Sequence, residues 1–254
     1  MKMNTQQRVR LKPKVVVVMP AYNAANTLKK TYRDIPKDLV DEIILVDDGS
    51  KDDTVNLARK LKLTVFEHPK NLGYGGNQKT CYWEALKRNP DIIVMLHPDY
   101  QYDASLLGEL IRPIVQKRYD FVFGSRIRTR QEALNGGMPG HKYFFNRLYS
   151  VIANLILGVN FSEHMSGLRA YSAKTLKTIP YQRFSNDFVF DQQFTVAAIT
   201  HGLRIGELPI PVRYYLESSS IQLLPGLKFG LGSLWLLFLF VMFKSNFYKA
   251  KILQ

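Results

Sequence analysis

Five short runs of mostly β-branched residues recur through the first half of the chain, and polar clusters follow most of them. Lys14–Met19 (KVVVVM) reads as a buried strand ending at Pro20, and Glu42–Asp47 (EIILVD) as a second. Thr64–His68 is a third, Ile92–Leu96 (IIVML) a fourth and Phe121–Ser125 a fifth. Helical stretches lie between them at Thr27–Ile35, Asp53–Lys62, Gly76–Arg88 and Ala104–Gln116. This alternation predicts an α/β chain of βαβ units around a mostly parallel central sheet, Rossmann-like and flanked by helices. Right-handed crossovers bring the carboxyl ends of such strands to one edge, where open α/β sheets bind their ligands.

The polar clusters fall at those ends. Ala21-Tyr22-Asn23 follows the first strand and Asp47-Asp48-Gly49-Ser50 the second. His97-Pro98-Asp99 follows the fourth and Gly124-Ser125-Arg126 ends the fifth. Their convergence points to a nucleotide-type site. In VDDGSKDDT (Val46–Thr54) the plain reading is a strand–turn–helix junction capped by Asp52. The functional reading has Asp48 accept hydrogen bonds from a ribose or base. In His97-Pro98-Asp99-Tyr100-Gln101, a carboxylate with a polar side chain two residues on can present two oxygen ligands to Mg²⁺ or Mn²⁺. The plain alternative is a capped turn, with His97 packed. Asn71–Asn77 (NLGYGGN) lacks both the GxGxxG spacing and a P-loop lysine. Its glycines allow close backbone approach to a sugar or phosphate, or only a tight turn.

The second half is looser. Residues 127–140 read as a mobile loop, Lys142–Leu157 and Asp187–Thr200 as helices, and Arg204–Tyr214 as an edge strand because it holds Pro209 and Pro211. A last helix spans about 221–244, with ten consecutive apolar residues at Leu234–Phe243 (LWLLFLFVMF), too few alone to span a bilayer.

The 254 residues carry a formal net charge of +14. The excess is local. Lys2, Arg8, Arg10, Lys12 and Lys14 form an acid-free tail; Arg126, Arg128, Arg130, Lys142 and Arg147 meet only Glu132; and basic residues dominate from 213 onward. Phosphate-bearing partners and an acidic membrane surface fit this distribution. A nucleic-acid partner does not, since carboxylates gathered at one sheet edge repel phosphate unless a cation intervenes. One cysteine, Cys81, excludes a disulfide framework, and a reducing cytosolic compartment is expected. No apolar segment directly follows the basic tail, so a cleaved signal peptide is not expected.

Taken together, the motifs resemble those of family 2 glycosyltransferases with a GT-A fold, over about residues 14–215. PAYNA (20–24) resembles the family's PxYNE, VDDGSKDDT its VDDGSxDxT, and NLGYGGNQKT its NxGxGxAxxxG. HPDYQ stands where the family has DADxQ, and GSR (124–126), SGLRA (166–170) and ELPIPVRY (207–214) resemble later segments. The likeness implies transfer of a sugar, with inversion, from a nucleotide-diphosphate-sugar donor to a polyprenyl phosphate or lipid-linked glycan, with Mg²⁺ or Mn²⁺ as cofactor. Pro20, Tyr22, Asn23, Asp47, Asp48, Gly73, Gly76, Asp99 and Arg126 would form the donor site, and Asp99, Gln101 and His97 the metal site. Arg126, Arg147, Arg169 and Arg213 would face the acceptor phosphate. Asp191 is the favoured base with Asp187 the alternative, four residues apart and on one face if both are helical.

Two departures are visible: Ala24 replaces the family's Glu, and His97 the first Asp of the DxD-like motif. They leave a catalytically weakened, glycosyltransferase-like binding scaffold as the alternative. The expected division is a basic tail over 1–13, a GT-A domain over 14–216, and a helical segment over 217–254 that docks on membrane or on a partner. Peripheral association at the inner face of the cell membrane, rather than a spanning protein, is expected; a homo-oligomer is the other partner considered.

Overall fold

The computed structural model describes residues 12–211, 223–247, 250 and 252, with residues 223–225 described by their backbone alone. The strands are β1 (Val15–Ala21), β2 (Glu42–Asp47), β3 (Thr64–Glu67), β4 (Ile92–Met95), β5 (Phe121–Ser125), β6 (Arg169–Ser172) and β7 (Ile205–Pro209). The helices are α1 (Ala25–Asp34), α2 (Thr54–Lys60), α3 (Tyr74–Leu86), α4 (Leu107–Val115), α5 (Arg130–Asn135), α6 (Gly140–Leu157), α7 (Ala173–Thr178), α8 (Phe190–Thr200) and α9 (Leu223–Lys244).

One seven-stranded sheet runs in the order β3-β2-β1-β4-β6-β5-β7. All pairs are parallel except those of β6, which runs against both β4 and β5. β1 is buried at every position, as a run of valines with both faces covered requires. Val16 and Val18 point into one core with α3, α6, α8 and α9. Val15, Val17 and Met19 point into the other with α1, α2 and α4. Burying each such side chain contributes roughly 1.5–3 kcal/mol. Pro20 is tolerated in this central strand because of register. The Val18 carbonyl accepts from Leu96, so Pro20 faces the same side, beyond the point where the ladder to β4 ends at Met95.

The six strands and seven helices read from the sequence are present. β7 is an edge strand beside β5 as expected; residues 212–214 lie outside the described residues. Three elements were not anticipated: β6, α7 and α5. The last corrects the expectation of a loop over 127–140. Thr129 caps α5 by accepting from Glu132 N at 3.1 Å, and Ile127, Ala133 and Met138 form a small core beneath it. Thr129-x-x-Glu132 is a capping-box spacing legible in the sequence.

α9 packs on α6 and α8. Ser233, Leu236, Leu237 and Phe240 are buried there, while Leu227, Leu231, Leu234, Trp235, Phe238 and Val241 are exposed. Gly226–Lys244 is long and apolar enough to cross a membrane by length and composition.

Candidate active site

The loops after β1 and β2 are stitched to each other. Asn23, held at φ +51°, donates its N–H to Ser50 Oγ at 2.8 Å and accepts from Lys51 N at 2.9 Å. Ala24 N donates to Thr54 Oγ1, and the Ala24 methyl is buried against the core. Asp52 accepts from Thr54 N at 3.1 Å and Ala25 N at 3.0 Å. Burial acts to raise its carboxyl pKa, but the Thr54 hydroxyl and these N–H donors bring it below the ordinary Asp value. Beside this turn Tyr22 is 52% exposed at the carboxyl edge of the sheet.

The two adjacent carboxylates of the second strand end divide their work. Asp47 Oδ2 accepts from Gly49 N at 3.0 Å and Ser50 N at 2.9 Å, while its Oδ1 is buried with no hydrogen-bond partner. Asp48 Oδ1 accepts from Leu72 N at 2.8 Å and lies 2.8 Å from His68 Nδ1; Oδ2 accepts from Gly73 N at 3.0 Å. Asp48 thus holds the glycine-rich loop. That loop is packed, not open. A Cβ on Gly73, where φ is +88°, would lie 2.7 Å from the Asn186 carbonyl, and one on Gly75 would collide with that of Ser185. The glycines let the 185–186 backbone close over the start of α3.

At the end of β4, Asp99 Oδ1 accepts from Gln101 N at 3.1 Å, and Gln101 is buried. His97 lies two residues back, its Nε2 3.2 Å from the Tyr74 hydroxyl. Tyr74 also donates to Asp191 Oδ2 at 2.6 Å. Asp191 Oδ1 accepts from Gln78 Nε2 at 3.2 Å and lies 3.7 Å from Arg169 Nε. His97 and Tyr74, both half-buried, and the buried Asp191 and Arg169 therefore form one chain of polar contacts joining the end of β4 to α3, α8 and β6. Burial pushes the His97 pKa down, against the opposing pull of Asp99 and Asp191. Burial and then the Asp191 charge push the Tyr74 pKa well up.

Several expected roles change place. Arg169 does not face a phosphate: at 1% exposure it donates to the Ser166 carbonyl at 2.8 Å and the Asp191 carbonyl at 3.0 Å. The reason is the register of β6: Arg169 pairs with Met95 and Phe123, and Tyr171 with Ile93 and Phe121, so both point to the sheet face of the aromatic core beneath α3 and α8. Asp187 is not on a helical face with Asp191, because α8 starts at Phe190; it is half-exposed and paired with Lys228 of α9 at 2.7 Å. Arg126 Nη2 donates to Glu163 Oε2 at 2.8 Å and to the Met165 carbonyl at 2.8 Å. Arg147, half-buried on α6, donates to the Ser162 carbonyl. Arg213 lies outside the described residues.

Sequence reading missed Tyr74, Gln78, Glu163 and Gly167. Tyr74 and Gln78 stand inside the quoted NLGYGGNQKT motif, where only the glycines drew notice. Gly167 stands inside SGLRA; a Cβ there would lie 2.7 Å from His97 Nε2. Glu163 had no motif to mark it.

The donors at the end of β4 are one carboxylate, one imidazole and one amide oxygen. Among the described residues no group of three or more His, Cys, Asp or Glu could hold a metal by itself. A set this sparse in carboxylates fits a cation that shares a substrate diphosphate and water, not one held in an all-protein cage.

Residues 16–179 match the family model of Glycosyl transferase family 2. The chain is a family 2 glycosyltransferase. An uncharacterized protein of Methanocaldococcus jannaschii is 31% identical to this glycosyltransferase over 229 residues, covering 89% of the chain and 93% of the relative. The UDP-N-acetylglucosamine–dolichyl-phosphate N-acetylglucosaminyltransferase of Methanococcus voltae is 30% identical, covering 79% and 86%. The undecaprenyl-phosphate mannosyltransferase of Micrococcus luteus is 27% identical, covering 78% and 82%. Among solved structures, glucosyl-3-phosphoglycerate synthase of Mycobacterium tuberculosis in complex with uridine diphosphate aligns with a TM-score of 0.69 at 20% identity, over 90% of this chain and 80% of that one. This glycosyltransferase thus has the GT-A fold, with an apolar C-terminal helix.

Proposed function

We propose that the enzyme transfers a sugar, with inversion, from a nucleotide-diphosphate-sugar donor to a polyprenyl phosphate at a membrane surface. The observation that carries the lipid acceptor is the apolar surface of α6 and α9. α6 exposes Phe144, Phe145, Leu148, Val151 and Leu155 on the helix that bears Arg147, and α9 packed beside it exposes Leu231, Trp235 and Phe238. Apolar side chains for a lipid next to a guanidinium for its phosphate suit an amphiphilic anion. Two curated relatives are named for transfer to dolichyl or undecaprenyl phosphate.

In this reading Tyr22 stacks on the nucleobase, with Pro20 and Asn23 shaping the pocket and Asp47 Oδ1 facing the nucleoside. Asp99, with His97 and Gln101, would hold Mg²⁺ or Mn²⁺. When bound, that cation supplies positive charge to the leaving diphosphate. The acceptor oxygen forms a bond to the anomeric carbon as the bond to the diphosphate oxygen breaks, with the nucleoside diphosphate leaving. No strong base is needed, because a phosphate arrives ionised. This agrees with how both candidate bases are occupied: Asp191 faces Tyr74, Gln78 and Arg169, and Asp187 pairs with Lys228. The catalytic unit is residues 14–216, and 217–254 is the docking segment. With one face of α9 packed on the domain, it lies along the inner face of the cell membrane instead of crossing it.

The test is sugar transfer from a panel of nucleotide sugars to a short-chain polyprenyl phosphate with Mn²⁺. Asp99→Asn should lower turnover at least about a hundredfold, the several kcal/mol that a metal clamp contributes. Transfer to no acceptor by a chain that still binds nucleotide would establish the scaffold alternative.

A further inference from the structure

Tyr74 has a single hydroxyl proton and two polar neighbours. Its oxygen lies 2.6 Å from Asp191 Oδ2 and 3.2 Å from His97 Nε2. The Asp191 carboxylate is an acceptor set among donors, Gln78 Nε2 at 3.2 Å and the Arg169 guanidinium at 3.7 Å. If Tyr74 gave its proton to His97, two oxygens carrying only lone pairs would face each other at 2.6 Å, a repulsive contact in a part-buried site. The proton therefore goes to Asp191, and the phenol oxygen turns a lone pair to the imidazole. Nε2 must then be the ring nitrogen that carries hydrogen. Packing fixes which edge of the ring is turned inward: a Cβ on Gly167 would lie 2.7 Å from Nε2 and 2.8 Å from Cδ2.

We propose that Tyr74 and Asp191 are positioning residues that lock His97 in its Nε2–H tautomer, so that Nδ1 offers its lone pair as the ligand nitrogen at the strand end carrying Asp99. Arg169, held by the Ser166 and Asp191 carbonyls, fixes Asp191 from behind. The histidine that stands in the DxD-like position is in this way given a fixed orientation that an aspartate would not need. The use made of Nδ1 rests on the donor site proposed above; the tautomer does not.

The tautomer is read directly by long-range ¹H–¹⁵N NMR on the full chain labelled at histidine, with His97→Gln assigning the His97 signals among the five histidines. The expected result is an Nε2–H pattern for His97 in the native protein, lost or mixed in Tyr74→Phe. Mn²⁺ binding in the presence of UDP, followed by electron paramagnetic resonance, should weaken about tenfold or more in the same variant, as for other partners that orient a ligand histidine. An Nδ1–H pattern in the native protein overturns the lock without recourse to any variant. An unchanged tautomer in a folded Tyr74→Phe overturns the role of Tyr74. Selective broadening of the His97 signals by Mn²⁺ supports ligation; its absence beside a locked tautomer overturns ligation alone.

Discussion

Arg126 and Glu163 form a nearly buried ion pair, with Nη2 2.8 Å from Oε2 and the glutamate at 0% exposure. Asn146 donates to the same Oε2 at 3.0 Å. The pair ties the end of β5 to the loop that leads into β6.

Breaking this pair from the acid side leaves a guanidinium with little access to water. Glu163→Gln should therefore destabilise the fold by about 3 kcal/mol or more, read as a shift of the urea midpoint. Burial works to raise the Glu163 pKa, but Arg126 and its N–H donors bring it below the ordinary value. A lowered native value means that this stabilisation is complete above the ordinary Glu range and lost as pH falls through the native one. The variant should lose less stability in acid than the native chain does.

His164 supplies a second pH dependence of different origin. Its Nε2 lies 2.9 Å from Asn154 Oδ1, its Nδ1 is buried without a partner, and burial pushes its pKa down to about 4. The unfolded chain takes up a proton near pH 6.5 that the folded chain refuses, so stability falls as pH drops from about 6.5 to about 4. One proton over that interval corresponds to about 3 kcal/mol. His164→Gln should flatten this part of a stability–pH curve measured by urea unfolding.

Gly167→Ala should perturb the site by crowding alone. The added methyl meets the His97 ring, and overpacking of this kind costs about 1–3 kcal/mol. Thermal unfolding should report that loss, and the His97 NMR signals should move while those of His201, in the turn after α8, stay in place.

Leu231 and Trp235 are 70% and 59% exposed on α9, so Leu231→Glu with Trp235→Glu should leave the melting temperature nearly unchanged. Sedimentation with liposomes rich in acidic lipid should drop sharply in the double variant. Equal sedimentation would remove α9 from the membrane face, and loss of a dimer in place of lipid binding would reassign the face to a second copy.

The sheet was legible because its signal is local. β1, β2, β4 and β5 are short apolar runs whose neighbours are helical, and their polar ends announce themselves. β6 escaped notice because SGLRAYS alternates nothing: Arg169, the largest fully buried side chain, occupies a core position. No periodicity rule places an arginine there, since its burial depends on Asp191, more than twenty residues away in sequence. Asp48 shows the converse. Its motif was read, but motif residues can hold a loop as readily as a ligand, and only the Leu72, Gly73 and His68 contacts reveal which partners it has here. Arg126 likewise reads as an exposed cation until Glu163 is known to lie beneath it.

The reversed direction of β6 has a consequence for how such a chain can diversify. β5 leaves the sheet and β6 re-enters beside it, with Gly124 N bonded to the Leu168 carbonyl at 2.9 Å. Residues 126–168 thus depart from and return to nearly the same point. Everything between, including the basic α5–α6 stretch, hangs from a closed neck. Lengthening its loops or recoding its exposed positions, with the buried Tyr149, Ala153 and Leu157 of α6 kept, would leave the registers of β4, β5 and β6 intact. Acceptor choice could then drift by grafting at one neck, while the half of the molecule assigned to the donor kept its geometry.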